Sequence, residues 1–419
     1  MAPSSTPPDA MLRPSLNAEF LVAGDGPVGL MAALALADAG RETLLIAPSW
    51  NQPIGDDDSR TTAILGDGIS FLEDLRIWPQ LAAACAPLKR LRIVNAKSGP
   101  AMFRRGDCTF DADEIGEIEF GWNVPATALK SALMQAAAVR PHLRLVEGKR
   151  VRRLLPGERG YAVELDDGQT VDAGAIIAAD GRGSKLRQEA GIDGVDEDLD
   201  QTALVCSFDH AKNHDNTSIE LHRDGGPFTT VPLPGRRSSL VWVMPHDAAN
   251  ALIAMPPVRF FARLEHIVRP WLGRLDNVNT PGVWPLRRVL AATMARENLL
   301  LVGETAHAFS PVGAQGLNLS IRDIRGLREL VEGLDPPDRA SFGASAAIAL
   351  GRRYSRRRLI DVQTRAQGVH MLNDFVADRS LASGFLQEIG LQFFKRVPIL
   401  RQVVMQTLMP PRISSISLP

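Results

Sequence analysis

Phe20-Leu-Val-Ala-Gly24-Asp-Gly26-Pro27-Val-Gly29-Leu30 reads as a short apolar strand, a glycine-rich turn and the start of a helix. The turn has the spacing Gly-x-Gly-x-x-Gly. Its first glycine permits a tight turn, its second lets a pyrophosphate lie against the backbone, and its third lets helix and strand pack closely. The helix start adds unpaired N–H groups and a partial positive charge, both suited to phosphates. An alanine-rich helical run over 30–39 follows, then Gly40 as its stop and Thr43–Ala47 as a second strand. Strand, turn, helix and strand within about thirty residues is the size of a dinucleotide-binding β-α-β unit. The turn thus assigns Gly24, Gly26, Pro27 and Gly29 to a cofactor. The alternative is a glycine-rich packing turn, which the ordered run of four elements disfavours. One feature is missing. An acid normally ends the second strand and binds ribose hydroxyls, but Ala47, followed by Pro48, stands there. Ribose contact is left to the backbone, to Ser49 or to another segment.

A second turn of this kind lies near the other end of the chain. It reads Leu301-Val-Gly303-Glu304-Thr-Ala-His307-Ala-Phe-Ser-Pro311-Val-Gly313-Ala-Gln-Gly316-Leu317-Asn318-Leu-Ser-Ile-Arg-Asp323. An apolar strand ends on Gly303, and Glu304 offers a carboxylate to sugar or polyol hydroxyls. Pro311, Gly313 and Gly316 make a loop free of bulky side chains, and the N–H groups of Leu317 and Asn318 begin a helix. Such groups stabilise negative charge on a bound ring. Between the two turns, Ala178-Ala-Asp180-Gly181-Arg-Gly-Ser184 ends a buried strand on an Asp-Gly turn. Asp180 reads either as a helix cap or as a cofactor ligand together with Gly181. The two glycine-rich turns, almost three hundred residues apart, point to one extended cofactor held by a discontinuous domain.

Bulk properties narrow the function. The chain has 419 residues, 45% apolar and 23% charged, with 47 Lys and Arg against 48 Asp and Glu. The near-zero balance gives no electrostatic case for nucleic acid. Cys85, Cys108 and Cys206 are widely spaced, with no metal-ligand spacing, so a bound metal is not expected and a reducing compartment is. No apolar run reaches the roughly 18 residues that mark a spanning helix. Residues 1–18 are Pro- and Ser-rich and read as a flexible tail.

Patterning divides the rest. Residues 59–75 read as helical, 126–138 as a strong helix, and 143–146, 151–155, 162–165 and 175–179 as strands. From Thr202 to Pro245 strands follow one another without helices, the mark of a second, sheet-built domain. We expect a discontinuous cofactor domain over 19–88, 120–195 and 289–345, a substrate-binding sheet domain over 89–119 and 196–288, and a helical region over 346–419. Phe228 and Pro232, in a strand of the sheet domain, are candidates for a substrate-pocket wall; ordinary sheet core is the alternative. His307 reads as a framework or cofactor-edge residue, with proton transfer as the alternative. Residues 384–409 are apolar with interspersed Lys395, Arg396 and Arg401, consistent with a membrane surface, a docked partner or a packed helix pair.

In this order the three turns resemble those of the group A flavoprotein monooxygenases, and more closely the ubiquinone-biosynthesis FAD-dependent hydroxylase family. Gly313-Ala-Gln-Gly-Leu-Asn-Leu-Ser-Ile-Arg-Asp323 is similar to that family's Ala-Gly-Gln-Gly-x-Asn-Leu-Gly-x-x-Asp pattern. Trp284-Pro285-Leu286 matches its aromatic-Pro-Leu element, Asp58-x-Arg60 its FAD-contacting arginine, and Tyr354 to Arg358 with Asp361 its late helix. Glu304 replaces the usual Asp. The resemblance implies an α/β fold: a Rossmann-like FAD-binding domain of the para-hydroxybenzoate hydroxylase type, an antiparallel-sheet α+β substrate domain and C-terminal helices. It implies FAD as cofactor, with NADPH or NADH as transient reductant, and oxygen delivery through a flavin hydroperoxide. The substrate class it implies is a polyprenylated phenol of ubiquinone biosynthesis. A cytoplasmic location follows, peripheral at the inner face of the membrane, with the C-terminal helices touching the membrane or a biosynthetic complex. Three rivals stay open: a same-fold hydroxylase of a soluble aromatic or polyketide, a flavin reductase or dehydrogenase, and a non-catalytic nucleotide-binding subunit.

Overall fold

Strands that are apolar on both faces demand cover on both sides, which is the condition for a parallel sheet. Leu16–Ala23, Thr43–Ala47, Leu299–Leu301 and the second half of Thr170–Ala178 meet that condition, with nearly every residue buried. In a computed structural model of the chain they form the centre of an eight-stranded sheet. The structure describes residues 16–50, 52, 58–96, 107–310, 314–334 and 342–377, without the side chains of 366–377. The parallel order across this sheet is Leu299–Leu301, Thr170–Ala178, Leu16–Ala23, Thr43–Ala47 and Leu143–Glu147. Val151–Gly157 and Gly160–Leu165 add an antiparallel hairpin at the Thr170–Ala178 strand. Helices Pro27–Asp38, Ala126–Ala138 and Gln315–Glu332 pack around it.

A second sheet of nine strands is built mainly of antiparallel pairs between Gly194–His210, Thr217–Arg223, Gly226–Leu233, Arg237–Pro245 and Gly282–Ala291. Arg90–Asn95 joins its edge by parallel pairing with Thr217–Arg223, and Asp107–Asp111 follows. Helices His246–Ile253 and Pro257–Leu272 cover one face, burying Leu204, Phe208, Phe228, Trp242 and Leu264 among others. A small sheet of Thr61–Leu65, Gly121–Pro125 and Ala86–Leu88 lies at the join. Asn123 ties it to the nine-stranded sheet by donating to the Pro232 carbonyl at 2.7 Å. The fold is α/β, with a Rossmann-like part and an α+β part.

Three readings of the sequence are corrected. The first strand starts at Leu16, inside the stretch read as a tail, because Leu16, Asn17 and Ala18 pair with Val171, Asp172 and Ala173. Residues 61–65 form a strand before the helix Gly66–Asp74 begins. The β-branched pair Thr61-Thr62 favours extended backbone, and the Leu65 N–H is held by Asn318 Oδ1 at 2.9 Å. The strand read over 175–179 starts earlier and runs over Thr170–Ala178. Gly174 in its middle lies so close to Phe342 and the Glu19 carbonyl that an added Cβ would sit 2.5 and 2.8 Å from them.

Candidate functional site

The N-terminal turn has the geometry its glycines foretell. Gly24 has φ of +118°, and a Cβ there would lie 2.4 Å from the Ala179 carbonyl oxygen. A Cβ on Gly29 would lie 1.9 Å from the Gly24 oxygen, so the turn closes only with glycine. At Gly26 the opposite holds: nothing stands within 4 Å of an added Cβ. The helix Pro27–Asp38 has no side-chain cap at Gly26 and no acid in its first turn. Pro27 occupies the start, where a missing N–H is least costly. Open space over a glycine beside uncapped helix N–H groups fits a pyrophosphate.

The C-terminal turn packs directly on it. Gly303, with φ of +62°, lies against Val28 of the first helix, where an added Cβ would be 2.9 Å from Val28 Cγ1. Next to it Glu304 is exposed, with Arg182 3.8 Å away. The helix Gln315–Glu332 begins after Ala314, which takes φ of +54° and offers no side-chain cap. Gly316 is exposed and open, and Leu317 is half-buried. Asn318 is buried and fully engaged. It accepts from Leu65 N and donates to the Ala63 and Ala314 carbonyls at 2.8 and 2.6 Å. Its side chain therefore fastens the small sheet to this helix. Pro311 and Gly313 lie outside the described residues, as does the apolar segment 384–409.

Thr305 joins the middle motif to this turn. The Gly181 N–H donates to Thr305 Oγ1 at 3.2 Å, and Thr305 Oγ1 donates to Asp180 Oδ1 at 3.4 Å. The cap of the helix Lys185–Glu189 is Ser184, which accepts from Arg187 N at 3.0 Å. Asp180 supports that cap, accepting the Ser184 hydroxyl at 2.6 Å and the Leu186 N–H at 3.4 Å. On the other rim, the Arg60 guanidinium lies 4.1 Å from the centre of the Trp284 ring. Asp58 holds it from the side at 2.6 Å. Hydrogen bonding to Arg60 draws the Asp58 carboxyl below its usual range, against the effect of burial. Ser49 stands just past the second strand, bound to Asp25.

His307 is a framework residue in this geometry. Its side chain is fully buried, its Nε2 is 2.6 Å from Asp323 Oδ2, and its ring stacks on Phe309 at 5.7 Å. Asp323 is the hub that sequence reasoning quoted but gave no role. It accepts from Gly303 N at 3.0 Å, from His307, and from Arg358 Nε at 2.8 Å. Burial alone would raise its carboxyl pKa, but the charges and hydrogen bonds of His307 and Arg358 outweigh that and hold it below the ordinary range. Tyr354, also buried, donates to the Leu301 carbonyl at 2.9 Å. The signal was available: Asp323 sits on a helix whose neighbours Ile321 and Ile324 are buried apolar residues.

Phe228 and Pro232 are turned the other way from the expected pocket. Phe228 is fully buried under the covering helices, edge-on to Trp242 at 5.2 Å. Strand alternation puts Pro232 on that same face. The opposite face, which meets the small sheet, carries Val205, Thr229, Val231, Ser239 and Val241 by the same register. Thr61 Oγ1 lies 2.8 Å from Ser239 Oγ across that join.

Comparison with known proteins agrees with this geometry. The FAD binding domain family matches residues 17–331. The chain is 31% identical to a ubiquinone hydroxylase, UbiL, of Rhodospirillum rubrum over 79% of its own length and 76% of that protein. It is 27% identical to the 3-demethoxyubiquinol 3-hydroxylase of Escherichia coli, over 92% of this chain and 96% of that one. Among solved structures, the p-nitrophenol 4-monooxygenase PnpA of Pseudomonas putida superposes with a TM-score of 0.72 at 15% identity, covering 95% of this chain and all of that one.

Proposed function

The chain belongs to the ubiquinone-biosynthesis FAD-dependent hydroxylase family, and from that premise we propose that it hydroxylates the aromatic ring of a polyprenylated phenol. It is an FAD-dependent monooxygenase. The observation that carries the reading is a pair of helix N-termini without side-chain caps, after Gly26 and Ala314, with the Gly303 turn packed on Val28 of the first helix and the small sheet joined to Ser239 on the face that bears Val231 and Val241. When bound, FAD supplies the redox chemistry, accepting electrons from NADPH or NADH and activating molecular oxygen.

The chain's own residues bind, orient and exclude water. Gly24, Gly26 and Gly29 with the first helix take the pyrophosphate. Glu304, with Asp180 and Gly181 close behind, takes the ribityl hydroxyls. Gly316 and the N–H groups of Leu317 and Asn318 face the ring and stabilise negative charge on it. Arg60, fixed by Asp58 and Trp284, guards the rim. Val205, Val231 and Val241 give the substrate an apolar wall that keeps water from the reacting ring. On this reading residues 19–88, 120–195 and 289–345 form the FAD-binding part, and 89–119 with 196–288 the substrate-binding part.

We place the enzyme at the inner face of the membrane, where a polyprenylated substrate resides. Among the described residues no helix is long and apolar enough to cross a membrane. Support for surface contact comes from the helix Ala344–Ala377. Arg352, Arg353 and Arg356 are exposed there without a partner among the described residues, and Ile360, 68% exposed, shares their face. A basic helix face with an apolar residue in its midst suits anionic lipid headgroups.

The test is aerobic turnover of the FAD-loaded protein with NADPH or NADH and a short-chain polyprenylphenol. The expected result is substrate-dependent oxygen uptake with a ring-hydroxylated product. Reduced-nucleotide oxidation that leaves the ring unchanged would assign the chain to the dehydrogenases instead.

A further inference from the structure

A dinucleotide fold ordinarily seats its ribose on an acid at the end of the second strand. Here Ala47 stands in that place, fully buried. A carboxylate reaches the same strand end from the glycine turn. Asp25, between Gly24 and Gly26, is only 5% exposed. Its Oδ2 accepts both the N–H and the hydroxyl of Ser49, each at 2.8 Å. Lys130, on the helix Ala126–Ala138, donates to the Ser49 hydroxyl at 3.0 Å. Ser49 Oγ therefore gives one hydrogen bond and takes one, which fixes its rotor. Asp25 Oδ1 has no hydrogen-bond partner among the described residues, and the Lys130 ammonium keeps donors beyond the one it uses.

The Asp25 carboxylate is only 5% exposed, and its unused oxygen is the part that opens to solvent, where a ligand donor can reach it. It lies beside a cation with unused donors, next to a helix start suited to pyrophosphate. We propose that Asp25, Ser49 and Lys130 together form the adenosine-ribose clamp of this chain, replacing the absent strand-end acid. A vicinal diol both donates and accepts. One ribose hydroxyl donates to Asp25 Oδ1, and the other accepts from Lys130. Lys130 has a second effect. Asp25 brings a negative charge close to the phosphate position, and the ammonium offsets the repulsion that would follow. The signature in sequence is a pair of changes: an acid inside the Gly-x-Gly turn and none at the end of the second strand.

The proposal rests on the FAD reading above, and the experiment separates the two. Apo-protein is titrated with FAD, and with FAD analogues whose adenosine ribose lacks the 2′- or the 3′-hydroxyl, following flavin fluorescence. Wild type should bind at least one analogue about tenfold or more weakly than FAD, the loss expected for a hydrogen bond to a charged group. Asp25→Asn and Lys130→Met should each weaken FAD binding, and each should bring toward one the ratio between FAD and the analogue that lacks the hydroxyl its side chain holds, while Ser49→Ala, which fixes both side chains, should lower both ratios. A purely structural role would lower affinity for both ligands and leave the ratio intact, and that result overturns the clamp. So does a wild type that does not distinguish the ligands. If Asp25→Asn fails to fold, the half-buried Lys130→Met variant carries the test, with its thermal midpoint as the folding control. A wild-type protein that binds no FAD at all would overturn the FAD reading and the clamp with it.

Discussion

Removing the Asp323 carboxylate should loosen the cofactor turn from a distance. Asp323 contacts no open groove: its side chain is wholly buried, and its three partners are the Gly303 N–H, His307 and Arg358. Asp323→Ala leaves the Arg358 guanidinium, 7% exposed, without its closest counter-charge. Arg358 Nη2 already lacks a partner among the described residues, and Asp361 holds Nη1 at 2.7 Å. Breaking one member of a buried pair costs about 3–5 kcal/mol. A 419-residue chain unfolding as one unit, at about 2.1 cal/mol/K per residue, loses roughly 1 °C per kcal/mol. The expected drop in thermal midpoint is therefore about 3–6 °C.

FAD retention should fall along with it, because the positive φ of Gly303 is held by that hydrogen bond. Arg358→Met should cost less alone, and the Asp323→Asn and Arg358→Met pair should couple by more than about 1 kcal/mol in a double-mutant cycle. The pH dependence has a definite sign. The folded carboxyl pKa is depressed, so its stabilisation is present above the unfolded value of about 4 and is lost as pH falls through the folded value. A midpoint that moves by less than about 2 °C in Asp323→Ala, with full flavin retention, would refute the hub.

The other expectations are more local. Gly26→Ala should leave the apo-protein's thermal midpoint unchanged yet weaken FAD by about tenfold or more, since its Cβ enters only the space left for phosphate; Gly29→Ala, which would place a methyl 1.9 Å from a backbone oxygen, should lower both. Glu304→Ala should weaken FAD retention measured by gel filtration, and unchanged retention would remove the ribityl role. Val231→Trp should raise the Michaelis constant for the aromatic substrate while anaerobic flavin reduction stays near wild type; an unaltered Michaelis constant would move the pocket off that sheet face. Replacing Arg352, Arg353 and Arg356 together by Gln should weaken binding to phosphatidylglycerol vesicles by roughly a hundredfold, from about 1 kcal/mol per basic residue. If binding persists but a co-purifying acidic protein is lost, the basic face docks protein, not lipid.

What was legible in the sequence, and what was not, follows from the range of the interactions. The glycine turns are local devices: spacing within six residues defines them, and the structure reproduces the tight approach of Gly24 and Gly29 to their neighbours. Helix Ala126–Ala138 was read with its observed bounds, because alanine and leucine favour helix without help from packing. Residues 61–65 misled because their strand character depends on partners at 121–125 and on Asn318, more than 250 residues away. Phe228 misled for a different reason. Alternation shows that a strand has two faces, but it does not say which face meets a helix and which a ligand. The choice was made by Leu252, Phe260 and Leu264, on helices that lie later in the chain. Asp25 shows the same limit at a finer scale. Read along the chain it is the variable residue of a turn, and in space it is the acid missing from Ala47, delivered across the strand ends by Ser49 and joined there by Lys130. A functional group can thus change its position in sequence while keeping its place in the fold, provided that a hydrogen-bonded neighbour carries it across the gap.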